Sequence, residues 1–158
     1  MKTAALVWLA LLLTACAAPP KPIAVKGQTQ WAGRISLVVE ASPIIQNTAG
    51  FTLTGSASAG QLELFNPLGA KAANIFWTSE SAVLTNDQGV KNFANLATAL
   101  QQLLQTHIPV EALFDWLAGV PHDANGWKAD LSRYAEGRLF LTRNQPLPRA
   151  EMRIALEK

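Results

Sequence analysis

Gly60-Gln-Leu-Glu-Leu-Phe-Asn-Pro-Leu-Gly69 changes character halfway along. Its first half alternates, with Leu62 and Leu64 on one side and Gln61, Glu63 and Phe65 on the other. That is the pattern of a strand buried on one face. Its second half is a turn. Pro67 presets the φ that a first central position needs, and Gly69 tolerates φ > 0. Asn66, pushed towards extended backbone by the proline, can close the turn with its own side chain. Leu68 is left at the tip. Either it folds back as a satellite contact on its own domain, or it stands out as an apolar finger for a membrane or an apolar partner.

Period two recurs on both sides of this stretch. Trp31, Gly33, Ile35, Leu37 and Val39 share one face, and Ala32, Arg34, Ser36, Val38 and Glu40 the other. Residues 41–49, with Pro43 and Asn47 and with Gly50 next, read as a turn or loop that leaves Ile44-Ile45 as an odd apolar pair. Phe51, Leu53 and Gly55 make the following strand, and the small residues 55–60 connect it to the opening one. Beyond Gly69, Ala73, Ile75 and Trp77 alternate in a strand from Ala70 to Trp77. Ser81 to Thr85 is a further short strand, and Asn86-Asp-Gln-Gly89 a hairpin-type turn. Short strands joined by local turns argue for antiparallel sheet.

The period changes at Asn92. Phe93, Leu96, Ala97, Leu100, Leu103 and Leu104 recur at helical spacing, which predicts an amphipathic helix from about Asn92 to Gln105. Pro109 suits the first position of a second helix carrying Val110, Leu113, Phe114, Trp116 and Leu117, with Gly119 as its stop and Pro121 beyond. That helix is apolar over most of its girth and should be buried on two sides. Strands then return: Trp127, Ala129 and Leu131; Leu139 and Leu141 after the Glu136-Gly137 turn; and Met152, Ile154 and Leu156 after the proline-bearing residues 144–149. Strands, two helices, strands, with no βαβ alternation, excludes a doubly wound parallel sheet.

The chain has 158 residues, 49% apolar and 15% charged, enough for one globular domain with a real core. Thirteen basic and eleven acidic residues nearly balance and no polybasic run occurs, so nothing supports nucleic-acid binding. The single cysteine, Cys16, ends a targeting segment: a positive start at Met1-Lys2, then an apolar run from Ala4 to Leu13 too short to span a bilayer. Leu13-Thr14-Ala15-Cys16 resembles the bacterial lipobox, in which the cysteine is acylated and the signal is cut before it. The alternative is an ordinary signal peptide with a chance cysteine. On the lipobox reading residues 1–15 leave, and the formal charge becomes 12 − 11 = +1, because only Lys2 is lost. Three acyl chains exceed the two-signal threshold for stable anchoring. Ala17 follows the cysteine in place of the aspartate of an inner-membrane retention signal, which favours the outer membrane. Residues 16–30 are then the lipidated cysteine and its tether, with three prolines, and 31–158 the folded domain.

Catalytic constellations are absent from the sequence. No HExxH, GxSxG, P-loop or paired-cysteine zinc spacing occurs, and the two histidines, His107 and His122, lie in loops beside prolines with no nucleophile nearby. The sequence implies no enzyme, no metal and no cofactor.

Several segments together resemble the LolB family: Leu64-Phe65-Asn66-Pro67-Leu68-Gly69, the turn at Asn86-Asp-Gln-Gly89, the helix around Leu96 to Leu104, and Ile108-Pro109 followed by Trp116-Leu-Ala-Gly-Val-Pro121. The resemblance spans roughly Trp31 to Asp130. It implies a mainly β (α+β) fold, an incomplete antiparallel β-barrel with a two-helix lid inserted mid-chain. It also implies a function: accepting triacylated lipoproteins from the periplasmic carrier LolA, holding their acyl chains in an apolar cavity and inserting them into the outer membrane, as a lipid-anchored monomer facing the periplasm. Cys16 would be lipidated, and Pro67, Leu68 and Gly69 would form the membrane-insertion loop. Phe51, Leu53, Leu62, Leu64, Ile75, Trp77, Phe93, Leu96, Leu100, Leu103 and Trp116 would line the cavity. An alternative is an envelope-assembly or structural lipoprotein using the same fold as an interaction module, and a third is a lipid- or glycolipid-modifying enzyme. Two departures from the family pattern, no amphipathic helix before Trp31 and no further strand after Leu156, imply a less closed barrel.

Overall fold

The computed structural model describes residues 29–124 and 126–157. The expectations for the signal segment, for Cys16 and for the tether up to residue 28 lie outside them. The first six strands are β1 (Gln30–Val39), β2 (Ile45–Gly55), β3 (Gly60–Phe65), β4 (Lys71–Trp77), β5 (Ala82–Asn86) and β6 (Gly89–Phe93). Helices α1 (Leu96–Leu104) and α2 (Val110–Leu117) follow, then β7 (Trp127–Asp130), a 3-10 turn at Tyr134–Glu136, β8 (Arg138–Arg143) and β9 (Ala150–Leu156).

All nine strands join one antiparallel sheet in the order β6-β5-β4-β3-β2-β1-β9-β8-β7. Among the described residues the sheet is not closed: β6 and β7 are its edges, and the chain segment that carries both helices runs from one edge to the other. The last strand, β9, lies between β1 and β8, so the opening falls at β6 and β7 and not beside the C-terminal strand. Because every neighbour is antiparallel, the turns 40–44, 66–70, 87–88 and 144–149 share one end of the sheet. Connections 56–59, 78–81 and 131–137 share the other.

The inward faces are those the alternation implies. Leu37 and Val39, Phe51 and Leu53, Ala73, Ile75 and Trp77, Leu139 and Leu141, and Met152 and Ile154 are all buried. They form one core with Ala99 and Leu100 of α1 and with Ala112, Trp116 and Leu117 of α2. α2 exposes only Glu111, in keeping with a helix apolar around most of its girth.

Several elements differ from the sequence expectation: Pro109 is the cap residue of α2 and not its first helical residue, Leu131 lies just beyond β7, and two boundaries shift further. β2 begins at Ile45, so 45–50 are strand and only 40–44 is loop. Asn47 and Gly50 are turn formers by composition, but ten residues of β1 offer a ladder that pairs β2 from Ile45 to Thr54, and pairing outweighs weak local propensity. Likewise 89–93 form a sixth strand, and α1 starts at Leu96 rather than near Asn92. Asn95 is the cap, its side chain accepting from the Thr98 N–H at 3.0 Å. Phe93 falls three residues before Leu96, so helical spacing claimed a residue that the Ala82 pairing holds in the sheet. At the end of α2 the forecast stop is met. Gly119 sits at φ 78°, its N–H bonds to the Trp116 carbonyl at 2.9 Å, and the Val120 N–H bonds to that of Asp115 at 2.8 Å. These are the paired bonds of a Schellman cap.

Candidate acyl-chain cavity and its rim

Between the concave face of the sheet and the helices lies a cavity of about 330 Å³. Of the residues named for an acyl cavity, Phe51 and Leu53 of β2, Leu62 and Leu64 of β3, and Leu96, Leu100 and Leu103 of α1 line it. Ile75, Trp77 and Trp116 are instead wholly buried in the packed interior beside it, and Phe93 is half-buried on β6. Residues outside the expected set complete the wall: Ile35 and Leu37 of β1, Met152 and Ile154 of β9, and Leu113 and Phe114 of α2. Their signal was present in the inward period of β1 and β9. What period two does not reveal is that β9 returns beside β1, which brings those faces together.

The cavity has a polar mouth. Where β2 begins, β3 ends and β5 turns into β6, the lining changes to Asn47, Thr48, Asn66, Asn86 and Asp87, all but Asn86 exposed. Deeper lining is aliphatic and aromatic, with no titratable side chain.

The 66–70 turn stands on this mouth. Asn66 organises it: its Oδ1 accepts from the N–H groups of Leu68 and Ala70, both at 3.0 Å. Its carbonyl accepts from Gly69 N–H at 2.9 Å, and its own N–H donates to the Ala70 carbonyl at 2.9 Å. Gly69 takes φ 84°, with open space around it. The loop thus satisfies its own backbone, and Leu68 is 93% exposed. No core contact holds the leucine, so of the two readings of this residue the projecting one describes it.

The helices are tied down on the side away from the mouth turn. Trp116 donates its indole N–H to the His122 carbonyl at 2.7 Å, and Tyr134 its hydroxyl to the Leu117 carbonyl at 3.0 Å. Trp127 Nε1 and Arg143 Nη1 both donate to the His107 carbonyl, at 3.1 and 3.3 Å, so one oxygen in the α1–α2 link is held from β7 and β8. Arg143 is only 5% exposed, lies 5.3 Å over the Trp127 ring, and gives its Nη2 to the Pro148 carbonyl at 2.8 Å. Burial pushes its guanidinium below the ordinary arginine range. Its Nε and the nearby Thr106 hydroxyl have no hydrogen-bond partner among the described residues. Arg143 was not singled out from the sequence, although it continues the inward alternation of Leu139 and Leu141. Phe114 packs edge-on against Trp31 and Trp77, with ring centroids 5.7 and 6.3 Å away.

His122 pairs with Asp115 of α2, Nδ1 to Oδ2 at 2.6 Å, rather than with its neighbour Asp123. Among the described residues no group of three or more His, Cys, Asp or Glu side chains gathers as a metal site would require. No described helix is long and apolar enough to cross a membrane.

A family model described as outer membrane lipoprotein LolB matches residues 28–146 of this chain. A curated protein of Bordetella petrii named outer-membrane lipoprotein LolB is 31% identical, over 96% of this chain and 92% of that protein. The protein of the same name from Bordetella pertussis is 32% identical over 92% and 86%, and that from Vibrio atlanticus 26% over 85% and 67%.

Proposed function

The chain belongs to the LolB family, and on that premise we propose that it is an outer-membrane lipoprotein that accepts other lipoproteins by their acyl chains and passes them to the membrane. The observation that carries this reading is the placement of the 66–70 turn on the polar mouth of an otherwise apolar cavity. An acyl chain needs only apolar area, at about 0.8 kcal/mol per methylene buried, and the wall offers that with no group for chemistry. The chain would enter and leave beside Leu68. Acylated Cys16 would keep the domain at the outer membrane, and the cargo would arrive from the periplasmic carrier LolA.

The size of the cavity refines this. About 330 Å³ is near the lower limit of small-molecule sites, which span roughly 300–1,000 Å³. It suits part of one tail, so further chains require α1 and α2 to move away from the sheet. Leu68 alone gives the bilayer a weak hold, on the order of 1–3 kcal/mol. That is appropriate for a residue that must let go after each transfer.

The test uses a soluble form beginning at Ala17, mixed with carrier loaded with triacylated lipoprotein, and with non-acylated cargo as control. Movement of the acylated cargo only is the expected result. No movement to a folded acceptor would overturn the acyl-acceptor reading and leave the fold as an interaction module of envelope assembly.

A further inference from the structure

We propose that this protein meets the bilayer through three aliphatic tips, Ile44, Leu68 and Leu147, which together face the mouth of the cavity towards the membrane. The proposal rests on the function given above, and adds to it a surface and an orientation.

Six large apolar residues are exposed among the described residues: Phe76 near the far end of β4, Val90 on the edge strand β6 and Val120 after α2 lie on or beside elements, whereas the other three sit on turns. Ile44 is 69% exposed on the 40–44 turn, Leu68 93% on the 66–70 turn and Leu147 67% on the 144–149 turn. All three turns belong to the mouth end of the sheet. The connections at the opposite end, built largely of Ser, Ala, Thr and Glu at 56–59 and 78–81, expose no large apolar side chain, and Leu131 and Tyr134 of 131–137 are half-buried. Solvent alone gives no reason for that difference between the ends.

The three tips also share a rim. Leu64, Ala73 and Asn86 are in register, whereas Val39, Ala150 and Arg143 pair six residues further along the strands. From the β5–β6 turn to the β8–β9 turn the strand ends therefore climb about 20 Å while the sheet advances about 29 Å. That slope matches the strand tilt of roughly 35–45° in a barrel. Averaged over the six strand steps the turns follow the rim instead of a diagonal, although β1 and β2 run five residues past the end of β3, so the climb is concentrated there.

Charge does not select the partner: Lys71 is already ion-paired with Glu63, and Arg149 near the rim is accompanied by Glu40 and Asp87, so no basic patch faces the mouth end. Isolated aliphatic tips over a neutral rim suit the acyl region of a bilayer, and lack the continuous apolar face that a protein interface buries at its centre. The anchor permits the pose. Cys16 lies fourteen residues before Gln30, a reach of at most about 46–50 Å, while β1 climbs from Gln30 towards the rim by at most about 33 Å.

The experiment uses the full-length acylated protein anchored in vesicles of phosphatidylethanolamine and phosphatidylglycerol. Cys16 is the only cysteine and is consumed by lipid, so Ile44→Cys, Leu68→Cys, Leu147→Cys and, at the far end, Ser79→Cys each create a unique site for an environment-sensitive fluorophore. Blue-shifted emission, quenched by spin-labelled lipid, is expected at 44, 68 and 147 and not at 79. Quenching at 68 alone would overturn the three-point rim and leave the single-finger reading of Leu68 standing. Quenching at none of the three would overturn both. Shielding of 44 and 147 only on adding loaded carrier would make the rim a protein-docking surface, and would also overturn the proposal.

Discussion

The interior has a solid side and a hollow side, both made from apolar side chains. On the solid side Trp77, Trp116 and Trp127 are wholly buried, and each gives its indole N–H to a main-chain carbonyl. On the hollow side leucines and isoleucines of β1–β3, β9 and α1 surround the cavity. A buried tryptophan is located twice, by packing and by a directional bond. A leucine is located by packing alone, and a missing neighbour costs it only the lost dispersion contacts. The difference teaches how a lid can be firmly attached at one place and less so at another: aromatic residues with polar handles hold its root, and aliphatic residues alone face the part that would yield on the proposed function.

Breaking the solid side should have the largest effect. Trp116→Ala removes the largest side chain of α2 and orphans the His122 carbonyl, and is expected to cost about 3–5 kcal/mol, read as a shift of the urea unfolding midpoint. Leu100→Asn puts an amide into the wall where α1 faces the cavity. Water reaching the amide from the cavity limits the penalty to about 2–3 kcal/mol. Affinity for a fluorescent fatty acid, read by titration, should fall by about tenfold or more. Undiminished binding would mean that acyl chains do not lie between sheet and helices.

Leu64→Phe sharpens the contrast by making the hollow side resemble the solid one. The added volume goes into existing space, so stability should change by less than about 1 kcal/mol, while uptake of acylated cargo from the carrier declines. Leu68→Glu should have the smallest effect on folding, within about 0.5 kcal/mol, since the side chain touches nothing that holds the domain. Acyl uptake should persist and transfer into vesicles should stop. Normal transfer by this variant would remove the role assigned to the turn.

Much of this was legible in the sequence, and the omissions have physical causes. Alternation revealed which face of each strand turns inward, because period two is a property of single strands. The Asn66 turn and the Gly119 stop were readable because each depends on a few adjacent residues. The upper half of β2 was hidden by Asn47 and Gly50, whose turn preference is overruled by a partner strand. Phe93 was misassigned because it satisfies helical and strand spacing at once. Nothing local distinguishes Leu64, which borders empty space, from Ile75, which is fully packed. A vacancy depends on how several elements meet, and hydrophobicity is the same on both sides of it. Arg143 was overlooked for a related reason: an inward-facing arginine becomes intelligible only once the His107 and Pro148 carbonyls arrive beside it.

The edges β6 and β7, which pair with no further strand among the described residues, have a mechanical consequence. A fully closed barrel has its bore set by strand number and stagger, and enlarging it means tearing a ladder of hydrogen bonds. This barrel is a split ring. Flexing it outward bends the sheet and parts the side chains of the lid, and every interstrand bond survives. Its bore is therefore a matter of spring stiffness, and on the proposed function one unaltered chain would close on a short tail or spread around a longer one.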